Sequence, residues 1–588
     1  MLHLSKLRAT TDLKTFAAVL GVKPGVLSNE LFIKPKAALY TKFEIPKRFG
    51  GNREIQAPNG VLRHIQQSLA ALLSKCASEI NESQKLEDFA VPDPKVGASH
   101  AFKKNRSIVT NARPHTAKRW VFNVDLQDFF GTINFGRVRS YFIANRHFAL
   151  HPAVATVIAQ IACNDNKLPQ GSPCSPIISD LIGQVLDISL VKLARATDCT
   201  YTRYADDLTF SSNRPSPSTR VARRNPSTHE WEAGVGLKRS ISRAGFRINP
   251  AKTRMLYRDS QQVVTGLTVN RKVNVSAPYR NTVRAMAYSL LRTGSFDFFG
   301  AADDGTGKKT QTRVPGRPPQ LIGMLAHIDY VDRINREFRA LHGLEPIDTP
   351  GRVELFKRVL YFIHFFQPVR PVIVCEGPTD NIYITCAMKR LGLAYPTLVE
   401  SGSSKLRVDL FKYSEPTRRT AEVMQIRGGT GGQCNLIEAY SAYLKDVFGT
   451  MQPKHPVILL VDNDSGADGV YGKIAGVFSK PKPAGLAPFI HVVSNLYVVP
   501  TPKTKGTKTY IEQFFDSVTL ATQLNGKSFE PGKIKDNATQ YGKMAFALDV
   551  VAKNARGIDF SGFAPILARL ELAIGDFAKK IAPIAPGR

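Results

Sequence analysis

Three carboxylates in the first half of the chain follow patterns that can bring them together. Asp125 ends the short apolar run 120–125, and Asp206 and Asp207 later stand between two runs of β-branched and aromatic residues, as at the tip of a hairpin. Acids contributed by adjacent strands can bridge two divalent metal ions, which activate a hydroxyl and neutralise charge on a leaving phosphate. Because the ligands are all oxygen atoms, the sequence predicts two Mg²⁺ ions here.

A second group of acids occurs after residue 368. Glu376 ends the apolar run 371–376, and Asp462 and Asp464 follow the apolar run 456–461. In an open α/β sheet, the carboxyl ends of the strands meet in one crevice. We therefore expect these three carboxylates to share one or two Mg²⁺ ions.

The elements that must position these acids follow from length and hydrophobic pattern. A chain of 588 residues is too long for one hydrophobic core. Apolar residues recur at helical spacing from 320 to 366, whereas strand, turn and helix alternate after 368. The sequence predicts a multidomain α+β and α/β protein with a helical extension, a catalytic part, a helical module and an α/β domain, at 1–35, 36–275, 276–367 and 368–588.

The charge balance indicates a polyanionic partner. Lys and Arg number 80 against 48 Asp and Glu, for a net charge of +32, and neutralising phosphates releases condensed counterions. The sequence shows neither a secretory signal nor an apolar run long enough to span a membrane, so we expect a cytoplasmic protein without a membrane partner. The seven Cys form no CxxC pair, which argues against a zinc ribbon.

The first group of acids resembles a known family. Asp125, the PQGSP segment at 169–173 and the YADD segment at 204–207 resemble motifs A, B and C of reverse transcriptases. The resemblance implies a right-hand fold of fingers, palm and thumb, catalysis by the three aspartates, and dNTP substrates. Phe130 matches the aromatic gate against ribonucleotides. Nucleotide contacts are implied for Lys47, Arg53, Arg106, Phe130, Gln170 and Lys252.

Two further segments resemble retron reverse transcriptases in particular. NARPH at 111–115 matches an NAxxH motif, and residues 264–266 match a VTG triplet. The resemblance implies a structured noncoding RNA as partner and branched msDNA as product, with RNA contacts at Asn111, His115, Val264, Thr265 and Gly266. Composition alone predicts an exposed basic loop at 213–229, where Arg220, Arg223 and Arg224 are candidates for further RNA contacts.

The second group of acids resembles the Toprim domain, a Rossmann-like fold. EGPTD at 376–380 and DND at 462–464 match its Glu and DxD motifs. The resemblance implies a metal-dependent nuclease with Glu376, Asp462 and Asp464 as catalytic metal ligands and a nucleic-acid substrate. Lys543 is expected beside the scissile phosphate, and Glu512 matches an acidic segment of the nuclease-type group.

The leading interpretation is a retron reverse transcriptase fused to a Toprim effector in anti-phage defence. One alternative makes the C-terminal part a non-catalytic nucleic-acid-binding module, and another makes the chain a polymerase like the intron maturases. The sequence also leaves a homo-oligomer open.

Overall fold

The chain divides into two compact units in the computed structural model. The first unit comprises Met1–Ala277 and Tyr330–Ile347, and the second comprises Pro278–Asp329 and Asp348–Arg588. Residues 278–329, which contain a pair of antiparallel strands as well as helices, thus belong with the α/β part. The sequence-based boundary near 368 stays a prediction. The structure describes these residues: 2–46, 51–83, 97–303, 309–345, 349–412, 418–449, 451–503, 508–532 and 534–581.

The first unit combines helices with a central antiparallel sheet. Its helices are Leu2–Arg8, Leu13–Leu20, Pro24–Ser28, Gly60–Ser83, Ile108–Ala112, Phe135–Ala144, Pro152–Ala162, Ser175–Ala196 and Val235–Arg243. Its strands are Tyr40–Pro46, Asn52–Pro58, Trp120–Leu126, Thr200–Tyr204, Asp207–Ser212, Ala222–Arg224, Trp231–Ala233, Ile248–Tyr257, Val263–Val264 and Leu267–Thr268.

The second unit is built on a mostly parallel sheet. Its helices, of which the first two extend into the first unit, are Ala277–Thr293, Pro318–Leu341, Pro350–Tyr361, Pro378–Leu391, Arg418–Met424, Gly429–Asp446, Ala467–Phe478, Ser517–Leu520, Lys543–Ala545 and Ala564–Ile581. Its strands are Asp297–Asp303, Lys309–Pro315, Val372–Val374, Asp409–Leu410, Val457–Val461, Ile490–Val493, Leu496–Pro500, Ser528–Phe529 and Gln540–Tyr541.

A four-stranded antiparallel sheet forms the centre of the first unit. Its order is Thr200–Tyr204, Asp207–Ser212, Trp120–Leu126 and Ile248–Tyr257. The apolar side chains of Trp120–Leu126 are buried, and the long helix Ser175–Ala196 packs its apolar residues into the same core. The predicted hairpin around Asp206 and Asp207 is therefore two neighbouring strands of this sheet.

A buried arginine ties that hairpin to the helix Ser175–Ala196. Arg203, which is 1% exposed, donates from Nε and Nη2 to the two carboxylate oxygens of Asp187 at 2.8 and 2.7 Å, and from Nη2 to Asp180 at 3.1 Å. Its Nη1 donates to the carbonyl of Ala205 at 3.2 Å. Because Ala205 directly precedes the two aspartates, the arginine fixes the turn that presents them.

The sheet of the second unit has five strands and the predicted α/β character. In sheet order they are Asp409–Leu410, Val372–Val374, Val457–Val461, Leu496–Pro500 and Ile490–Val493, of which only the last is antiparallel to its neighbour. Every residue of Val457–Val461 is buried, as expected for a parallel strand covered on both faces.

The basic loop predicted at 213–229 contains more order than the sequence indicated. Ala222–Arg224 pairs with Trp231–Ala233 as a short antiparallel ladder, and Val221 and Ala222 are buried. The side chains of Arg220, Arg223 and Arg224 are exposed, as predicted.

Within the described residues, no single helix is both long and apolar enough to cross a membrane. The helices Leu13–Leu20 and Pro24–Ile33 meet that test of length and composition only when taken together, and they are bent by 107° at their junction.

Replacing Arg203 with Leu should strongly destabilise the first unit. The change leaves the carboxylate of Asp187 buried without its bidentate partner and that of Asp180 with Lys103 alone, so we expect the free energy of unfolding to fall by about 3 to 5 kcal/mol. Urea titration followed by tryptophan fluorescence measures this, because both tryptophans, Trp120 and Trp231, belong to the first unit.

The matched control for that titration is Arg214→Leu. Arg214 pairs with Asp198 at 3.1 Å, but the two side chains are 60% and 71% exposed, and such surface pairs contribute little. If the two variants lost equal stability, the claim that the buried ion pairs of Arg203 stabilise the first unit more than an exposed pair does would be contradicted.

Candidate active sites

The three acids of the first unit lie together at one edge of the four-stranded sheet. Asp125 stands directly opposite Asp207 in the register of their two strands. The backbone N–H of Leu126 donates to the carbonyl of Asp206 at 3.0 Å. Ala205 has a φ of +56°, so the hairpin turns tightly just before the two aspartates. The structure thus brings together the three carboxylates that the sequence singled out.

Burial and mutual repulsion disfavour the charged forms of Asp206 and Asp207. Desolvation, followed by the neighbouring carboxylates, raises the pKa of Asp206 and raises that of Asp207 to about 7, although Asp207 reaches the solvent. Asp125 is 5% exposed and accepts hydrogen bonds from Asn249 Nδ2 and Lys252 Nζ, both at 3.0 Å. The ammonium group of Lys252 therefore compensates one of three crowded carboxylates, and a further cation would stabilise the others.

A cleft of about 730 Å³ opens in front of Asp125 and Asp206. The side chains that line it include four of the predicted nucleotide contacts: Arg53, Phe130, Gln170 and Lys252. Lys47 lies outside the described residues. Arg106 does not line this cleft: its Nη1 donates to the carbonyl of Gly97 at 3.0 Å, and burial lowers its pKa.

Gly171 explains how one wall of the cleft closes. Its φ is +113°, and a Cβ atom there would lie 2.8 Å from Ile55 Cγ2 and 3.0 Å from the carbonyl oxygen of Gln56. The N–H of Gln56 donates to the carbonyl of Gln170 at 2.7 Å. The strand Asn52–Pro58 thus approaches the backbone at Gly171 closely.

The structure corrects three of the predicted RNA contacts. Asn111 and His115 are fully buried, and Val264 is 1% exposed. The ring nitrogens of His115 lie 2.7 Å from Ser211 Oγ and 2.8 Å from Thr202 Oγ1, so the ring joins both hairpin strands, and burial lowers its pKa to about 3. The prediction that these three side chains contact RNA is wrong for this structure, because none of them is exposed on the protein surface.

The two other residues of the VTG triplet reach the surface. Thr265 has a φ of +46°, is half-buried, and donates through Oγ1 to the carbonyl of Ile108 at 3.2 Å. Gly266 is exposed and has a φ of +81°. The role of Thr265 and Gly266 as RNA contacts stays a prediction.

The acids of the second unit meet at the carboxyl edge of the five-stranded sheet. The N–H of Asp462 donates to Glu376 Oε1 at 3.1 Å, which places the ends of their two strands side by side. The N–H of Gly466 donates to Asp464 Oδ1 at 2.7 Å. The carbonyl of Glu376 accepts from the N–H of Gly429, the first residue of the helix Gly429–Asp446.

The carboxylates of this second site hold their protons more tightly than those of the first. Desolvation raises the pKa of Glu376 to about 7 and, together with Glu376 and Asp380, raises that of Asp462 to about 9. Burial also raises the pKa of Glu512, whose Oε1 lies 2.9 Å from Lys543 Nζ. Lys543 therefore lies within the electrostatic reach of the acids, and its position beside a scissile phosphate stays a prediction.

Asp380 is a member of this site that sequence reasoning missed. It is 8% exposed, accepts from the N–H of Gly377 and from Thr379 Oγ1, both at 3.0 Å, and burial raises its pKa. The signal was present in the EGPTD segment, because an acid three residues after Gly377 caps the helix Pro378–Leu391. Asp380 thus caps the helix and also lies beside the predicted metal ligands, and the sequence pattern alone shows only the first of these roles.

The donor set of each site suits a hard divalent cation, since it consists of carboxylate oxygens whose repulsion a cation would relieve. In the part of the chain that the structure describes, however, no three His, Cys, Asp or Glu side chains converge as a preformed metal cage. Asp125 is held by Lys252, and Asp464 accepts from the backbone of its own loop. Metal binding would therefore require these carboxylates to exchange partners.

One family match falls mostly in the first half of the chain. Residues 45–300 match the family described as reverse transcriptase (RNA-dependent DNA polymerase). The retron Mx65 reverse transcriptase of Myxococcus xanthus is 33% identical over 309 residues, which cover 49% of this chain and 65% of the relative. The retron Mx162 reverse transcriptase of the same organism is 33% identical over 256 residues, covering 40% and 48%.

A third relative is covered more fully. The retron Ec73 reverse transcriptase of Escherichia coli is 31% identical over 245 residues, which cover 39% of this chain and 68% of the relative. The chain thus spans less than two thirds of the first two relatives and just over two thirds of the third. A solved telomerase from Candida albicans aligns over 54% of this chain at 10% identity, with a TM-score of 0.29, which is too distant to bear on function.

The stability of the metal-free second unit should fall as the pH rises. The folded pKa values of Glu376 and Asp462, about 7 and about 9, exceed the ordinary values of 4.5 and 3.8. The folded state therefore binds more protons than the unfolded state from about pH 4 to 9, and stability is lost as these groups ionise. Calorimetry in EDTA at pH 6 and pH 8.5, with tryptophan fluorescence identifying the transition of the first unit, measures the effect.

The control for this pH series is the double variant Glu376→Gln with Asp462→Asn. Because it cannot ionise at either position, its second unit should lose less stability between pH 6 and pH 8.5 than the wild type. An equally steep loss in both proteins would show that other groups cause the pH dependence.

Proposed function

The chain belongs to the retron reverse transcriptases, and we propose that its first unit is an RNA-directed DNA polymerase that makes branched msDNA from a cognate structured noncoding RNA. The observation that carries this proposal is the register of Asp125 against Asp207, with Asp206 at the same sheet edge. The intron-maturase alternative has no support among the relatives described above, which are all retron enzymes.

The residues around the cleft would have different roles in DNA synthesis. Asp125, Asp206 and Asp207 would hold two Mg²⁺ ions, which supply activation of the primer hydroxyl and charge neutralisation at the triphosphate. Lys252, whose pKa is raised by its hydrogen bond to Asp125, would exchange that carboxylate for a phosphate of the incoming dNTP. Arg53 would add a second cation, and Phe130 would crowd the 2′-hydroxyl of a ribonucleotide.

For the second unit we propose a metal-dependent nuclease of the Toprim type. The supporting observation is the contact between the N–H of Asp462 and Glu376 at the carboxyl edge of a parallel sheet. Glu376, Asp462 and Asp464 would hold one or two Mg²⁺ ions, and the ion would supply an activated water. Lys543, whose pKa is raised by Glu512 despite burial, would face the scissile phosphate.

The biological setting follows from joining these two activities. We propose that the protein acts in the cytoplasm in anti-phage defence, with the msDNA complex restraining the nuclease until infection disturbs it. The net charge of +32 supports a large RNA or DNA partner. The alternative for the second unit is a non-catalytic nucleic-acid-binding module. The Glu376→Gln experiment distinguishes it from a nuclease.

Replacing Asp206 and Asp207 with Asn should reduce DNA synthesis to the level of a no-enzyme control. The change removes two of the three anionic ligands while keeping the size of both side chains. Primer extension on an RNA template and msDNA yield in cells both measure it. The control is Asp165→Asn with Asp198→Asn, which removes two exposed carboxylates from the same unit. If the Asp206→Asn, Asp207→Asn variant synthesised as much DNA as the control, the proposed polymerase site would be contradicted.

Replacing Glu376 with Gln should abolish Mg²⁺-dependent cleavage of nucleic acid. The substitution keeps the size and the acceptor oxygen but removes the charge that a metal ion requires. Purified protein incubated with labelled DNA and RNA, with DNA synthesis assayed in parallel, measures it. The control Glu438→Gln removes an exposed carboxylate that pairs with Lys473. Cleavage that survives Glu376→Gln would favour the binding-module alternative.

A further inference from the structure

Two lysine-bearing loops of the second unit come from a segment without acids. From residue 469 to residue 511 the sequence contains six Lys and neither Asp nor Glu. The first lysine loop is residues 479–489, with Lys480 and Lys482. Of the second, the structure describes 501–503 and 508–510, with Lys503 and Lys508.

Strand directions place both loops at the edge of the sheet that carries the acids. The strand Val457–Val461 is parallel to Leu496–Pro500, with Val461 opposite Pro500, so the second lysine loop leaves the sheet beside Asp462. The strand Ile490–Val493 is antiparallel to Leu496–Pro500, with Ile490 opposite Val498. The first lysine loop, which leads into Ile490, therefore enters at the same edge.

Asn463, the residue between the two aspartates of the DND segment, joins the two loops. It is 3% exposed, and its Nδ2 donates to the carbonyls of Gly485 at 2.8 Å and Thr501 at 3.2 Å. Its own N–H donates to Thr501 Oγ1 at 2.9 Å, and its carbonyl accepts from the N–H of Thr509 at 3.1 Å. The peptide that carries the acids therefore also fixes the position of the lysine loops.

In the part of the chain that the structure describes, the contacts of these lysines leave most of their charge uncompensated. Lys480 and Lys503 donate to the carbonyls of Val492 and Ala484, at 2.7 and 3.2 Å, which orients the side chains without cancelling the charge. Lys482 pairs with Asp468 at 3.2 Å, but the two side chains are 53% and 67% exposed, and such a pair is weak. Prolines in both loops, at positions 481, 483, 488 and 502, restrict the backbone.

We propose that Lys480, Lys482, Lys503 and Lys508 bind the phosphate backbone of the nucleic-acid strand on which the second unit acts. A crowded group of acids repels a polyanion, so the strand needs cations beside the acids in order to approach them. Backbone contact by lysine is independent of sequence, and fixed loops keep the strand in register with the acidic site. This inference rests on the proposed nuclease, but it concerns binding alone.

Photocrosslinking of the full chain tests the proposal without requiring cleavage. The probe is a 20-nucleotide single-stranded DNA of mixed sequence with 5-iododeoxyuridine substitutions, and its duplex and RNA equivalents are run beside it, all in EDTA. Mass spectrometry then assigns adducts to peptides. We expect adducts within 479–489 and 501–510, where Phe489 and Tyr510 supply aromatic side chains, and we expect added salt to suppress them.

The test variant replaces the four lysines with Gln, which keeps a donor for each backbone carbonyl. Its adducts in the two loops should fall about tenfold or more, while adducts in the first unit persist. The control replaces Lys389, Arg390, Lys445 and Lys454 with Gln, for the same loss of charge. These residues end helices that start at the acidic edge, or precede the strand Val457–Val461, so they lie toward the opposite edge.

The outcomes separate this proposal from the nuclease proposal. Loop adducts in a protein that cleaves nothing with Mg²⁺ would support the binding surface and contradict the nuclease. Cleavage that is unchanged in the four-lysine variant would contradict the binding surface and leave the nuclease intact. Three other results would overturn the proposal: missing loop adducts, an equal loss in the control variant, or displacement of the probe by poly-glutamate as effectively as by DNA.

Discussion

The buried ion pairs of Arg203 are the interaction on which the geometry of the candidate site in the first unit depends. One guanidinium binds both oxygens of Asp187, one oxygen of Asp180 and the carbonyl of Ala205. Burying such charges is favourable only when the geometry is nearly complete, and here almost every donor has an acceptor. The network therefore tolerates few positions of the hairpin relative to the helix Ser175–Ala196. A less demanding contact, such as apolar packing alone, would let the hairpin shift along the helix.

The same network explains a feature of the helix sequence. Asp180, Gly183 and Asp187 recur at intervals of three and four residues, which places them on one face. A Cβ atom at position 183 would lie 2.8 Å from the guanidinium of Arg203. Glycine is needed there because the guanidinium lies flat against the helix backbone between the two carboxylates. Asp206 and Asp207 are thus positioned by residues that precede them in sequence and do not line the cleft.

The two candidate sites share one arrangement of acids and lysines. This arrangement is the structural feature that could best be predicted from the sequence. Each site places carboxylates at strand ends, where desolvation raises the pKa values of two of them: Asp206 and Asp207 in the first unit, Glu376 and Asp462 in the second. Each also sets one lysine against one acid: Lys252 on Asp125 and Lys543 on Glu512. Apolar runs ending in acids predicted this arrangement. The sequence did not reveal that Asn111 and His115 would be buried, because a polar motif does not show which face of the fold it occupies. Asp380 was missed because its capping position already explained an acid there.

Local charge was the least predictable property, because it depends on topology. The loop 213–229 has no acids, yet Arg223 lies 2.7 Å from Glu232, which the pairing of Ala222–Arg224 with Trp231–Ala233 brings opposite it. Glu232 also accepts from Lys238 at 2.7 Å, so one acid outside the loop offsets part of the basic charge. Among the described residues, no acidic strand pairs beside the lysine loops, since the strands next to them, Ile490–Val493 and Leu496–Pro500, pair with each other and contain no acid. The loop 213–229 and the lysine loops are both basic and free of acids, but they therefore differ in how much of their positive charge a neighbouring acid offsets. Only the lysine loops lie beside a group of candidate metal-binding acids.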